Sequence, residues 1–164
     1  MECTEFSGHR FIKVGEFVKS ENPLQIKFDG HDAIISVELA LYREEFKKIG
    51  ESVYMITMNT EPVYVGEYSG TLEDRWLKTR KSNYIWHNKD VQIAKYINEG
   101  NALCFYLARD IFVFTGAGKR INIAKSIEHD ILQDNALNLW NKRNVCVDRK
   151  GHSELSQFIQ ECWK

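Results

Sequence analysis

The chain has 164 residues, of which 43% are hydrophobic and 27% charged, and its net charge is −1. That length suits one sizeable core rather than two, the composition is that of a soluble globular protein rather than a disordered one, and no run approaches the ~18 apolar residues of a membrane span. The acidic start, Met1-Glu2-Cys3-Thr4-Glu5, lacks a signal-peptide core, so a cytoplasmic location is expected.

Taken in order, Leu24–Phe28 alternates and reads as a short strand closed by Asp29-Gly30. Ile35, Leu39, Tyr42, Phe46 and Ile49 recur at spacings of four and three, with charges between them. That spacing predicts an amphipathic helix stopped by Gly50. Ser52–Met58 and Pro62–Gly66 predict a hairpin across Asn59-Thr60-Glu61-Pro62, with Tyr54 and Tyr64 on neighbouring strands. Thr71, with Asp74 three positions on, predicts an N-cap for a short helix carrying Arg75. Val91, Ile93, Ala94 and Ile97 mark a helix closed by Glu99-Gly100, and Ala102–Ala108 a buried strand. Ile121, Ala124, Ile127, Ile131 and Leu132 trace a helix bearing Glu128, and Ser153–Cys162 a last helix.

The expected architecture is α+β, a small, mainly antiparallel three-stranded sheet flanked by helices. Residues 1–164 are expected to form a single domain. Its core spans 50–145, with a strand-and-helix extension at 1–49 and a terminal helix within 146–164. The four cysteines, Cys3, Cys104, Cys146 and Cys162, show no Cys-x-x-Cys spacing and read as reduced thiols. Cys146, His152 and Cys162 fit no established zinc spacing. Thr115-Gly116-Ala117-Gly118-Lys119 looks like a phosphate loop, but Arg120 occupies the place that a Walker motif gives to Ser/Thr.

Charge is unevenly spread. Residues 1–74 hold 7 Lys/Arg against 14 Asp/Glu, a net −7, and residues 75–164 hold 15 against 9, a net +6. A nucleic-acid partner would meet the second half, although mutual neutralisation of the halves explains the same numbers. Lys78, Arg80, Lys81 and Lys89 follow Arg75 closely, with Tyr84 and Trp86 interleaved. Cations of this kind engage backbone phosphates, and aromatics stack on bases or wedge between them. Lys119, Arg120 and Lys125 form a second cluster before the Glu128 helix. The loop Asp110–Arg120 is a candidate recognition insert, unless Phe112 and Phe114 bury in the core.

At its tyrosine strands the chain resembles the GIY-YIG nuclease family. Ser52-Val53-Tyr54 stands for the first motif and Tyr64-Val65-Gly66 for the second, Arg75-Trp76 falls at the family's Arg, and His87 resembles a histidine of homing-type members. Glu128 matches the metal-binding Glu and Trp140-Asn141 the late Trp-Asn. The resemblance spans roughly residues 50–145. It implies a divalent-metal-dependent endonuclease that hydrolyses DNA phosphodiester bonds, most like a restriction-type enzyme, with RNA open as an alternative substrate. In that scheme Tyr54 is the base or orients the water, and Tyr64 contacts the water or the phosphate. A phenol, with a free pKa of about 10, needs nearby positive charge for such work. Arg75 grips the scissile phosphate, Glu128 holds a single Mg²⁺ or Mn²⁺, and Asn141 orients the site or contacts the phosphate. A homodimer would let one site per chain cut both strands.

The chain departs from the family at Ser52 and at Thr79, which stands where the family usually has His or Tyr. Tyr84 or His87 is expected to reach into the gap. Taken singly, each residue also has a plainer reading: strand aromatics for the tyrosines, solvated helix charges for Arg75 and Glu128, a surface histidine, a helix-stopping Asn. Two other functions fit these departures and the acidic first half, a non-catalytic nucleic-acid-binding module and a protein-binding regulator.

Overall fold

Between His9 and Leu41 the chain is dense in β-branched and aromatic residues, and it forms two long strands. In the computed structural model, which describes residues 2–28, 31–78, 88–135 and 139–141, strands β1 (Cys3–Phe6), β2 (His9–Phe28) and β3 (His31–Leu41) join β4 (Ser52–Met58), β5 (Glu61–Tyr68) and β6 (Leu103–Ala108) in one six-stranded sheet. All its pairings are antiparallel, in the order β1-β2-β6-β4-β5, with β3 also on β2. Strands β7 (Phe112–Phe114) and β8 (Arg120–Asn122) make a separate two-stranded ribbon.

This corrects the expected three-stranded sheet. The helix expected over Ile35–Ile49 is β3 followed by a 3₁₀ turn at Glu44–Lys48. Val37 and Leu39 are buried two apart, which is strand spacing, and the stretch 33–37 is rich in β-branched residues that suit a sheet better than a helix. The segment before Leu24, which carries no sequence-predicted element, supplies β1 and most of β2. Because β6 lies between β2 and β4, strands β1, β2 and β3 belong to the same sheet as the tyrosine hairpin.

Two elements explain why β2 is hard to read. The bulge between Lys13 and Gly15 shifts its register on β6, which turns the alternation over. Phe11 therefore packs on one face of the sheet, with Met55 and Tyr106, whereas Phe17 packs on the other, with Tyr54 and Phe105. Gly15 also sits where β3 comes closest. A Cβ there would lie 2.5 Å from the Ala40 carbonyl oxygen and 3.2 Å from the Leu41 Cα.

The hairpin, the short helix after Thr71, the next helix, β6 and the Glu128 helix form where the sequence places them, with shifted bounds. β4 and β5 join through Asn59-Thr60, both at positive φ (50° and 80°), the geometry of a two-residue hairpin turn. Asn59 anchors that turn, its Oδ1 accepting from the Ala102 N–H at 3.0 Å and its Nδ2 donating to Asn101 Oδ1 at 2.8 Å. Helix α1 (Asn88–Asn98) buries Ile93 and Ile97 on the Tyr54 face. Helix α2 (Ala124–Asn135) buries Ile127 and Ile131 on the Met55 face. The sheet is thus a middle layer, with α1 on one face and α2 on the other. No helix among the described residues is long and apolar enough to cross a membrane. The helix expected at Ser153–Cys162 lies outside the described residues, as do Cys146 and His152.

Replacing Gly15 with Ala should force β3 off β2 at the bulge. The expected loss is about 1–3 kcal/mol, read as a lower urea midpoint with an unchanged m-value.

Candidate functional site

The hairpin register pairs Tyr54 with Gly66 and Ile56 with Tyr64, so the two tyrosines lie diagonally on one face. Their rings stack at 5.9 Å between centroids with 21° between planes. Tyr54 is 1% exposed and stacks on its other side against Phe105 at 5.3 Å. Its phenol lies across Gly66: a Cβ on that glycine would stand 2.6 Å from the Tyr54 hydroxyl oxygen. The Gly of Tyr64-Val65-Gly66 is therefore a space requirement of the first tyrosine. Tyr68, also on β5, completes the ring cluster at 6.3 Å from Tyr54. Burial pushes its phenol well above the usual tyrosine range, and its hydroxyl donates to the Ile49 carbonyl at 3.3 Å.

Thr71 does cap the next helix. Its Oγ1 accepts from the Asp74 N–H at 3.1 Å and donates to an Asp74 carboxylate oxygen at 2.6 Å. The helix Glu73–Lys78 is wound as a π-helix, a form that often occurs at functional sites. Trp76 is buried from it, its ring edge-on to Tyr54 at 5.2 Å and to Phe105 at 5.2 Å. Arg75, the preceding residue, is half-buried. Trp76 thus fixes the helix against the tyrosine pair, and Arg75 is carried beside it.

Lys89 is the unexpected member. Expected as an exposed cation of a nucleic-acid surface, it is only 5% exposed. Its ammonium sits 5.2 Å from the Trp76 ring centroid and 5.8 Å from that of Tyr64. A buried ammonium is costly unless compensated, and the faces of two aromatic rings supply part of the compensation. The signal was present in the sequence: Lys89 stands four residues before Ile93 and so shares the buried face of α1.

Trp140 and Asn141 close the outer edge of β5. The Trp140 N–H donates to the Val63 carbonyl at 2.7 Å, and the Val65 N–H donates to Asn141 Oδ1 at 3.0 Å. Asn141 Nδ2 donates to the Val65 carbonyl, so the side-chain amide copies a neighbouring strand. The Trp140 ring stacks on Tyr96 of α1 at 5.2 Å. Asn141 is thereby engaged with the backbone between Tyr64 and Gly66.

The helix of Glu128, α2, packs on the other face of the sheet, that of Val53, Met55 and Val65, opposite to the tyrosines. There Glu128 is half-buried beside Glu67, which the register pairs with Val53 on that same face. Its carboxyl is raised above the usual glutamate range, first by burial and then by the negative charge of Glu67. A backbone hydrogen bond from Glu67 and the charges of Lys125 and His129 pull it partly back. Glu67 was legible by strand parity, since it follows Val65 by two. Among the described residues no three His, Cys, Asp or Glu side chains gather as a metal-binding group. Two oxygen-donor carboxylates nevertheless suit a hydrated hard cation, which often takes only one or two protein ligands.

Of the remaining expected site residues, Lys119 and Arg120 are exposed on the β7–β8 ribbon. Thr79, Arg80, Lys81, Tyr84, Trp86 and His87, and the side chain of Lys78, lie outside the described residues.

Asn141→Ala should free both polar groups of Val65. Hydrogen exchange at the Val65 amide should accelerate, and stability should fall by about 1–3 kcal/mol. A second expectation follows from Glu128. Because its folded pKa is raised above the ordinary 4.5, the native state binds the extra proton and loses stability as pH rises from that value through the raised pKa. Melting temperatures of wild type and Glu128→Gln, compared from pH 4 to 8, should shift in favour of the variant as pH rises over that window.

No family model matches the chain, and no curated protein matches it. Among solved structures it is similar to a mutant of bacteriophage T4 EndoII, with 23% identity over 77% of this chain and 92% of that chain, at a TM-score of 0.40. A likeness of that size carries no inference about activity.

Proposed function

We propose that the chain is a nuclease that hydrolyses DNA phosphodiester bonds with the help of a divalent cation, on a site of the GIY-YIG type. The observation that carries this reading is the stacked Tyr54–Tyr64 pair with the Lys89 ammonium 5.8 Å from the Tyr64 ring centroid. Cleavage needs an activated water, charge neutralisation on the phosphoryl group and help for the leaving oxygen. Tyr64, the more accessible of the two phenols, takes or orients the proton of the attacking water. Lys89 keeps positive charge beside that ring, which favours the phenolate form. Tyr54, locked over Gly66, fixes the position of Tyr64. Arg75 receives the phosphate oxygens through its planar fork, and Asn141 keeps β5 straight beneath the pair.

Glu128, with Glu67 beside it, is the group that would hold Mg²⁺ or Mn²⁺. The cation would neutralise the mutual repulsion of the two carboxylates and, for a phosphate held at the β5 edge that both environments border, would supply charge to the transferring phosphoryl group. Restriction-type cutting as a homodimer is the form of the activity we favour.

The packing of the Glu128 helix on the sheet face opposite the tyrosine rings favours a second reading, a nucleic-acid-binding protein that does not cut. Nicking of supercoiled plasmid with Mg²⁺ separates the two. On the nuclease reading Arg75→Ala and Glu128→Ala each slow nicking about 10²–10³-fold. Equal nicking by wild type and Glu128→Ala would sink it. Salt-sensitive DNA binding with no metal-dependent cleavage would establish the second reading instead.

A further inference from the structure

The β7–β8 ribbon takes no part in the six-stranded sheet. Each of its strands has three residues, a size that does not hold together alone in water. Two contacts fasten its ends to the rest of the fold, and a third bond closes its base. Arg10 pairs with Asp110 at 2.6 Å, Asn122 Nδ2 donates to Glu51 at 3.0 Å, and the Ile123 N–H donates to the Ile111 carbonyl at 2.8 Å. At the tip, the Thr115 N–H donates to the Lys119 carbonyl at 2.9 Å, and Thr115 Oγ1 accepts from the Lys119 N–H at 3.1 Å. The phosphate-loop lookalike is this turn.

The fastened ribbon displays apolar side chains to solvent. Phe114 is 69% exposed and Phe112 38%, on the face that also bears Arg120; Val113 and Ile121, on the other face, are 43% and 42% exposed. The two phenylalanines expected to be candidates for the core are therefore outside it. The Arg120 guanidinium lies 4.0 Å from the Phe112 ring centroid. Residues 109–125 carry Arg109, Lys119, Arg120 and Lys125 against the single acid Asp110, and Asp110 is already paired with Arg10. Among the described residues none of those four cations forms a salt bridge.

An exposed ribbon that combines aromatics with unneutralised positive charge suits a polyanion that also offers flat apolar surfaces. A two-stranded ribbon has the width of the DNA major groove. The fastenings lead to both halves of the candidate site: Glu51 directly precedes β4, which bears Tyr54, and Asn122 Oδ1 accepts from the Ala124 N–H at 2.8 Å, at the start of the helix that bears Glu128.

We infer that the β7–β8 ribbon is a DNA-docking element, lying in a groove of duplex DNA with Lys119 and Arg120 on flanking phosphates and Phe114 against the bases. It rests on the nuclease reading and adds to it the part that chooses where the duplex sits.

Binding of a labelled DNA duplex, measured by fluorescence anisotropy without divalent cation and across a salt series, tests this apart from cleavage. Lys119→Ala combined with Arg120→Ala should flatten the plot of log affinity against log salt by about 0.9 for each phosphate no longer neutralised. Phe114→Ala should weaken binding roughly tenfold with the slope unchanged. Both should keep the wild-type melting temperature, since the side chains are exposed. Wild-type affinity and slope in both variants would overturn the ribbon assignment and leave the nuclease reading standing. Failure of the wild-type protein to bind any duplex would overturn both. Sedimentation of Phe114→Ala as a monomer where wild type is a dimer, with duplex affinity per chain unchanged, would assign the ribbon to a second copy and overturn the proposal.

Discussion

The approach of the Tyr54 ring to the bare Cα of Gly66 sets the geometry of everything around it. The phenol can lie flat only because no Cβ stands in its path. Once flat, it offers one face to Tyr64 and the other to Phe105, and its edge region meets Trp76. Those contacts are stacked or edge-on, the arrangements aromatic quadrupoles favour. The helix after Thr71 is held by Trp76, and Arg75 rides with it. Helix α1 is held by Ile93 and Ile97 in the same cluster, and Lys89 rides with that helix. One packing condition thus places two cationic residues that are separated along the chain.

The same economy does not extend across the sheet. A strand sends alternate residues to opposite faces, so a helix that uses Val53, Met55 and Val65 as its floor cannot share the floor made by Tyr54 and Ile56. Glu128 therefore has its own environment, shaped by burial and by Glu67 rather than by the rings. Both environments border β5, the last strand in the sheet order.

Much of the site was legible because it rests on local rules. The hairpin, the Thr71 cap and the amphipathic helices each show their period or their turn within a dozen residues. The sheet was less legible because its largest strand breaks its own alternation. The bulge at Lys13–Gly15 sends Phe11 and Phe17 to opposite faces although their spacing is even. The stretch from Ile35 to Ile49 misled for a different reason: a subset of its apolar residues falls at helical spacing, while Val37 and Leu39 obey strand spacing, and pairing with β2 decides the matter. Lys89 was read as a surface cation although it shares the Ile93 face of its helix; the rings of Tyr64 and Trp76 that meet it come from other segments of the chain. Asn141 matched a motif position, yet its hydrogen bonds to Val65 depend on contact between segments 76 positions apart.

The edge contact made by Trp140 and Asn141 has a temporal side. An open strand edge is a template for pairing with another chain. β5 is made early in synthesis, and the residues that cover its edge lie more than seventy positions later. While the ribosome is still adding that stretch, Val63 and Val65 present unfilled hydrogen-bonding groups next to the tyrosines. Neighbouring nascent chains on one message could join there, strand to strand, before their own covers exist. The Asn141 amide thus closes an edge that would otherwise offer β5 to another chain.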